Sequence, residues 1–199
     1  MPSKKIIRGF GILEQFLSIL RMKKAYKFIK KNEKNGAILD IGCGSYPLFL
    51  LNSNFKIKYG IDQEIKNIEF KNQNLILINH KILSDSKLPF QRNFFDVITI
   101  LAVIEHLEYN QIFRIMKECY NLLKKDGFLI ITTPAKWSDL LLRLMAKIHL
   151  VSPQEIKEHK NAFTLQELKK ILTNTKFESD RIWMGFFEFY LNIWVFAKK

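Results

Sequence analysis

The chain has 199 residues, 48% of them apolar and 17 of them Phe, with 32 Lys/Arg against 19 Asp/Glu and two cysteines. This fits one globular domain with a sizeable core and excludes an intrinsically disordered chain; with Cys43 in a glycine turn and Cys119 in a helical stretch, nothing suggests a disulfide framework or a zinc site. No apolar run reaches the ~20 residues of a membrane-spanning helix and the lysine-bearing N-terminus has no secretory leader pattern, so the expected location is the cytoplasm.

The net charge of +13 is unevenly spread, because residues 1–35 hold ten Lys/Arg and two Glu and so carry +8 of it. That segment has Ile12, Phe16, Ile19, Met22, Tyr26 and Ile29 at helical spacing, with Lys23, Lys27, Lys30 and Lys34 on a neighbouring face. It reads as a basic N-terminal helix ended by Gly36 as C-cap, covering one edge of a domain that occupies 36–199. A basic segment of this kind attracts RNA, an anionic membrane surface or an anionic substrate. The plainer reading is solubility in a chain that uses Asn, Ile and Lys heavily.

Strands then alternate with helices. The apolar runs predict strands at 37–41, 57–61, 75–79, 95–101 and 127–132, with two closing strands near 178–184 and 191–198. Ile112, Ile115, Met116, Cys119 and Leu122 share one face of a helix from Tyr109 to Leu123. Thr164 followed by Glu167 is a capping box opening a helix that runs to Thr173. Between strand and cap, Trp137, Leu140, Leu141, Leu144, Met145 and Ile148 recur at helical spacing, with Lys136, Asp139, Arg143 and Lys147 mostly opposite. This predicts an inserted amphipathic helix near 136–150. Its first reading is a lid over a substrate pocket; its second is peripheral contact with the inner membrane face. Such alternation implies a mainly parallel sheet covered by helices on both faces, an α/β fold.

The chemistry concentrates at Ile38 to Pro47, ILDIGCGSYP. A buried strand carrying Asp40 runs into Gly42 and Gly44, which let the backbone turn sharply and approach a ligand closely. Phosphate would favour amides or a basic side chain at that turn; an acid suits a ligand with hydroxyls and an ammonium. The next strand ends in Asp62, 20 residues beyond Gly42, where nucleotide-binding βαβ units carry the acid that binds a ribose diol. A dinucleotide fingerprint is excluded, since Pro47 stands where G-x-G-x-x-G needs its third glycine.

D-x-G-x-G after a strand, then an acid ending the second strand, resembles class I S-adenosylmethionine-dependent methyltransferases. Three further segments are similar to that family's: LPFQRNFFDVITILAVIEHL at Leu88 to Leu107, LLKKDGFLIITTP at Leu122 to Pro134, and HKNAFTLQELKKILTNTKF at His159 to Phe177. The resemblance covers roughly residues 36 to 198. It implies a single-domain Rossmann-like three-layer sandwich with a seven-stranded sheet whose last strand is antiparallel, and S-adenosyl-L-methionine as cofactor. It places Asp40, Gly42, Cys43 and Gly44 along the methionine part, Asp62 and Gln63 at the ribose, and Leu101 and Ala102 beside the amino-acid part. At the adenine, the family's acid falls on Ser84 when counted back from Leu88, with Asp85 one place late; another register brings Lys81 and Ile82 there. His106, in the "EH" pair with Glu105, and His159, before "FT", are the candidate general bases, with local hydrogen bonding as the plainer role of each. No metal is required by the chemistry.

The expected activity is methyl transfer to a small-molecule or lipid-like acceptor. Two other readings are an RNA methyltransferase, favoured by the basic N-terminus but lacking an N/D-P-P-Y/F motif, and a non-catalytic binding module that keeps the fold.

Overall fold

Ala37–Ile41 becomes β1, a strand buried along its whole length because both of its faces are covered. Alternate residues point opposite ways, and the core divides accordingly: Leu39, Ile41, Ile98, Ile100, Leu129 and Ile131 join one apolar cluster, while Ile38, Val97, Phe128 and Ile130 join another. In this computed structural model the described residues are 13–29, 35–65, 68–70, 74–82 and 87–199.

The strands are β1, β2 (Ile57–Asp62), β3 (Ile68–Phe70), β4 (Leu75–Asn79), β5 (Phe95–Leu101), β6 (Leu123–Pro134), β7 (Ile182–Phe187) and β8 (Asn192–Lys198). They form one sheet in the order β3-β4-β2-β1-β5-β6-β8-β7. β4, β2, β1, β5 and β6 run parallel, and β8 is antiparallel to both β6 and β7. This is the expected seven-stranded sheet with its last strand reversed. A short eighth strand, β3, is added antiparallel to β4 at the edge.

The helices are α1 (Glu14–Ile29), α2 (Leu48–Leu51), α3 (Tyr109–Leu122), α4 (Asp139–Lys147), α5 (Pro153–Lys157) and α6 (Leu165–Thr173). α3 and α6 bury Ile112, Ile115, Met116, Leu168 and Ile171 on one side of the sheet; α1 and α2 bury Ala25, Ile29, Phe49 and Leu50 on the other. α6 opens with the expected capping box: the Thr164 hydroxyl accepts from the Glu167 amide at 3.2 Å, and the Glu167 carboxylate accepts from the Thr164 amide at 2.8 Å.

Several expectations shift. α1 ends at Ile29 within the described residues, and Ile12, Lys30 and Lys34 lie outside them. Gly36 is no left-handed helix cap: its carbonyl accepts from the Ile57 amide at 3.3 Å where β1 and β2 begin. β6 starts at Leu123, because Leu123 pairs with Phe95 across a register shift before the Asp126–Gly127 corner. β7 starts at Ile182, later than 178, because Ser179–Arg181 form a 3-10 turn that pairs Arg181 with Asp126 at 3.1 Å.

The inserted helix is turned the other way round. α4 buries Leu142 and Ala146 with Met145 against Val151, Ile156 and Leu17, while Trp137, Leu140, Leu141, Leu144 and Ile148 are exposed. The small Ala146 and its neighbours at i−4 and i−1 let α4 lie close on α5 and α1, so the bulkier stripe faces out. No residue of α4 is among those that line the cavity at the carboxyl ends of the strands, which the lid reading required.

Candidate functional site

Chain order and strand order part company at β1: the sheet grows through β2 and β4 on one side and β5 on the other. Ligands of open α/β sheets bind at the carboxyl ends of the strands at such a reversal. A cavity of about 660 Å³ lies there.

The turn after β1 forms its floor. Gly42 and Gly44 have φ of +77° and +69°, the left-handed region that glycine enters without strain. The Gly42 and Cys43 amides both donate to the Ile61 carbonyl, at 2.8 and 3.2 Å, locking the turn onto β2. A Cβ at Gly42 would stand 2.3 Å from a Val103 methyl, whereas at Gly44 it would meet no atom within 4 Å. Gly44 thus presents bare backbone to the cavity, a cradle that a side chain would fill.

Two carboxylates flank that cradle. Asp62 ends β2; its Oδ2 accepts from the Gly44 amide at 3.1 Å and its Oδ1 from the Glu64 amide at 2.9 Å, which fixes the plane of the carboxylate. Asp40 pairs with Thr99 of β5 in register and accepts its hydroxyl proton at 2.6 Å. Burial pushes the Asp40 carboxyl up to about 7, against the Thr99 hydrogen bond and with a small push from Asp62. A cationic ligand group would reverse that shift. Cys43, on the same turn, has its thiol pushed up chiefly by burial, so it is an inert side chain there.

On the β5 side, Ala102 adopts φ of +56° while its amide donates to the Thr132 carbonyl at 2.9 Å. A non-glycine residue held left-handed costs of order 1–3 kcal/mol and concentrates at functional sites. Glu105 follows, fully buried, with its carboxylate accepting from the Thr133 hydroxyl at 3.1 Å and its carboxyl pushed up by burial. Its carbonyl accepts from the Lys160 and Asn161 amides at 2.8 and 3.1 Å, drawing in the loop that carries His159. His106 lines the cavity. His159 does not; it stands behind His106, ring centroids 5.0 Å apart in an edge-to-face arrangement. Burial, with His106 nearby, lowers His159 to about 4, so it is neutral at pH 7. Glu105, His106 and His159 bring ligand atoms within 4.8 Å of one another, a set able to hold a cation.

Asp40, Gly42, Cys43, Gly44, Asp62, Gln63, Ile82, Leu101, Ala102 and His106 all line the one cavity. Ser84 and Asp85 lie outside the described residues. Sequence reading passed over His80, directly after β4. Its Nε2 is buried with no hydrogen-bond partner among the described residues, burial lowers its pKa, and it lines the cavity beside Lys81 and Ile82. Gln111 holds the Ile82 carbonyl at 2.7 Å. α1 supplies Ser18, Arg21 and Met22, and α5 with the loop after it supplies Glu155, Lys157, Glu158 and Lys160. The bare Gly44 cradle, the two carboxylates and the orphaned His80 nitrogen fit an adenosine that carries a diol at one end and an ammonium at the other.

Residues 15–181 match the family model of a methyltransferase domain. A ubiquinone biosynthesis O-methyltransferase from Pelagibacter ubique is 37% identical over 108 residues, 50% of this chain and 42% of that protein. An uncharacterized protein from Methanocaldococcus jannaschii is 30% identical over 129 residues, 63% of this chain and 53% of its own length. The chain thus spans about half the length of the curated relatives it matches. Among solved structures, a SAM-dependent methyltransferase from Archaeoglobus fulgidus superposes with a TM-score of 0.67 at 18% identity, covering 91% of this chain and 94% of its own. Another from Aquifex aeolicus gives 0.60 at 16% identity, covering 91% and 92%. With strand order, glycine turn and family match in agreement, the chain belongs to the class I S-adenosylmethionine-dependent methyltransferases.

Proposed function

We propose that this chain transfers a methyl group from S-adenosylmethionine to an oxygen of a small, lipid-like acceptor. The observation that carries the reading is that His106 shares one cavity with Asp40, Asp62 and the Gly44 cradle. The Pelagibacter relative, described as an O-methyltransferase of ubiquinone biosynthesis, supports an oxygen nucleophile on an apolar molecule.

Each residue has a distinct task in this reading. Asp62 accepts hydrogen bonds from both ribose hydroxyls, its carboxylate already oriented by two amides. Asp40, directly or through an ordered water, balances the ammonium. Gly42, Cys43 and Gly44 lie along the methionine portion, with Leu101 and Ala102 closing it from β5. Gln63 borders the ribose; Ile82 and His80 border the adenine. The bound cofactor supplies a methyl already activated on a sulfonium, so the protein's contribution is to align the acceptor oxygen in line and exclude water. His106 takes the acceptor's hydroxyl proton. His159, neutral and packed edge-on, orients the His106 ring and adds no positive charge to oppose that transfer.

The test is incubation with methyl-labelled S-adenosylmethionine and paired hydroxyl and amine acceptors of increasing apolar length. Label is expected on oxygen, rising with apolarity, and His106→Ala is expected to lower kcat by roughly 10²–10⁴-fold. Label on the amines alone, or on bulk RNA alone, would overturn the reading.

A further inference from the structure

α4 shows an unusual distribution of apolar side chains. Leu140 is 70% exposed, Ile148 66%, Trp137 55% and Leu144 50%, on a helix of nine residues, the turn before it and the residue that caps its end. Single exposed apolar residues are ordinary on a protein surface; a continuous row is not.

A second, neighbouring element also exposes apolar side chains. The turn joining β7 to β8 exposes Phe189 at 91% and Tyr190 at 67%. Both are held left-handed, with φ of +54° and +69°. The next carbonyl, of Leu191, accepts from the Ala135 amide and from the Ser138 hydroxyl, each at 2.8 Å. This ties the aromatic turn to the root of α4. Two elements distant in sequence, hydrogen-bonded at the root of α4, therefore each expose large apolar side chains.

Charge identifies the occupant. Lys136 pairs with Glu167 at 3.1 Å and Arg143 with Asp139 at 2.8 Å, so Lys147 carries the net positive charge of the inserted segment, and the whole chain carries +13. The Leu13 amide donates to the Leu150 carbonyl at 2.9 Å, which ties the start of α1 to the segment after α4. A second copy of so basic a chain would be repelled. A helix of net positive charge with an exposed aliphatic row and a Trp at its root, beside a turn that exposes Phe and Tyr, has the composition of an element lying in the headgroup plane of an anionic bilayer.

We infer that α4 and the β7–β8 turn form a docking surface for an anionic lipid membrane. The buried side of α4 packs on Val151, Ile156 and Leu17. Those residues belong to the α1 and α5 region that walls the cavity through Arg21, Met22, Lys157 and Glu158. Docking therefore brings the acceptor end of the cavity beside the lipid. The surface itself does not depend on the methyltransferase reading, although it would give a lipid-like acceptor a short path.

The test is sedimentation of the full chain with sucrose-loaded vesicles, of phosphatidylcholine alone or with phosphatidylglycerol added. Pelleting with the anionic vesicles is expected, weakening as salt rises. Leu140→Asp with Ile148→Asp is expected to reduce partitioning about tenfold or more, with melting temperature and S-adenosylhomocysteine binding unchanged. Lys147→Glu is expected to weaken the preference for anionic lipid. Failure to pellet with either vesicle, equal partitioning of parent and Leu140/Ile148 variant, or a concentration-dependent dimer dissolved by the same substitutions would overturn the inference. Failure of the parent to bind S-adenosylhomocysteine would overturn the proposed function and leave the vesicle result standing.

Discussion

The Gly44 amide donates to Asp62 Oδ2 at 3.1 Å, so the glycine turn after β1 and the acid at the end of β2 are one unit. The acid orients the bare backbone that would meet the cofactor, and the turn in turn holds the acid toward the cavity. Asp62→Ala removes the proposed diol acceptor together with the partner of the Gly44 amide. Calorimetry with S-adenosylhomocysteine is expected to show about 1–3 kcal/mol of lost affinity. Asp62→Asn keeps an acceptor for the amide and is expected to lose less. Unchanged affinity in both variants would remove Asp62 from the site.

The Gly42–Val103 approach gives a contrast between two glycines. Gly42→Ala sets a Cβ 2.3 Å from Val103 Cγ2 in a left-handed backbone. It is expected to cost of order 1–3 kcal/mol of stability, part of it recovered by adding Val103→Ala. Gly44→Ala meets open space and should fold with the smaller backbone cost alone, yet it fills the cradle and should bind S-adenosylhomocysteine weakly. Melting temperature and Kd measured on the same samples separate the two. Equal effects on folding and binding in both variants would sink the distinction.

Asp40 sets a pH dependence of binding. Its carboxyl, raised to about 7 by burial, is partly protonated at neutral pH. An ammonium favours the carboxylate, so binding releases a proton below about 7, and affinity is expected to rise between pH 6 and 8 and then level. Asp40→Asn should flatten the curve. For folding without ligand the sign is opposite: a carboxyl raised above 3.8 makes the folded state hold its proton longer, so this group's contribution to stability declines as pH rises from about 4 to 7. A parent Kd independent of pH over 6–8 would refute the ammonium role.

The strands that build the site were legible because each is a short buried apolar run closed by a polar or glycine signal. Asp40 on β1, Asp62 at the end of β2 and the two glycines in the turn after β1 therefore stand where the sequence placed them. α6 was legible for a different reason, since Thr164 and Glu167 satisfy each other's amides locally. Periodicity could not tell which side of α4 faces in. Both stripes, Leu142–Met145–Ala146 and Leu140–Leu144–Ile148, are apolar, and the choice rests on the close fit of Ala146 against Val151 and Ile156. β3 is three residues that gain their pairing only from β4. His80 carries no sequence signal beyond following a strand. What marks it is the desolvation of its Nε2, a property of the folded cavity wall.

His159 supplies the last expectation. Burial and the neighbouring His106 lower it from 6.5 to about 4. The unfolded chain binds a proton at this residue between pH 6.5 and 4 and the folded chain does not, so stability is fully present above 6.5 and lost as pH falls toward 4. The difference in melting temperature between parent and His159→Asn should therefore vary with pH across that window and stay constant above it. Carbon-bound proton resonances of His159 should titrate near 4; a midpoint near 6.5 would place the ring in solvent and end its role behind His106. If the ring orients His106, His159→Asn should also lower kcat while leaving KM for S-adenosylmethionine near the parent value. A purely structural side chain would change melting temperature with neither the kcat loss nor the separation of kcat from KM.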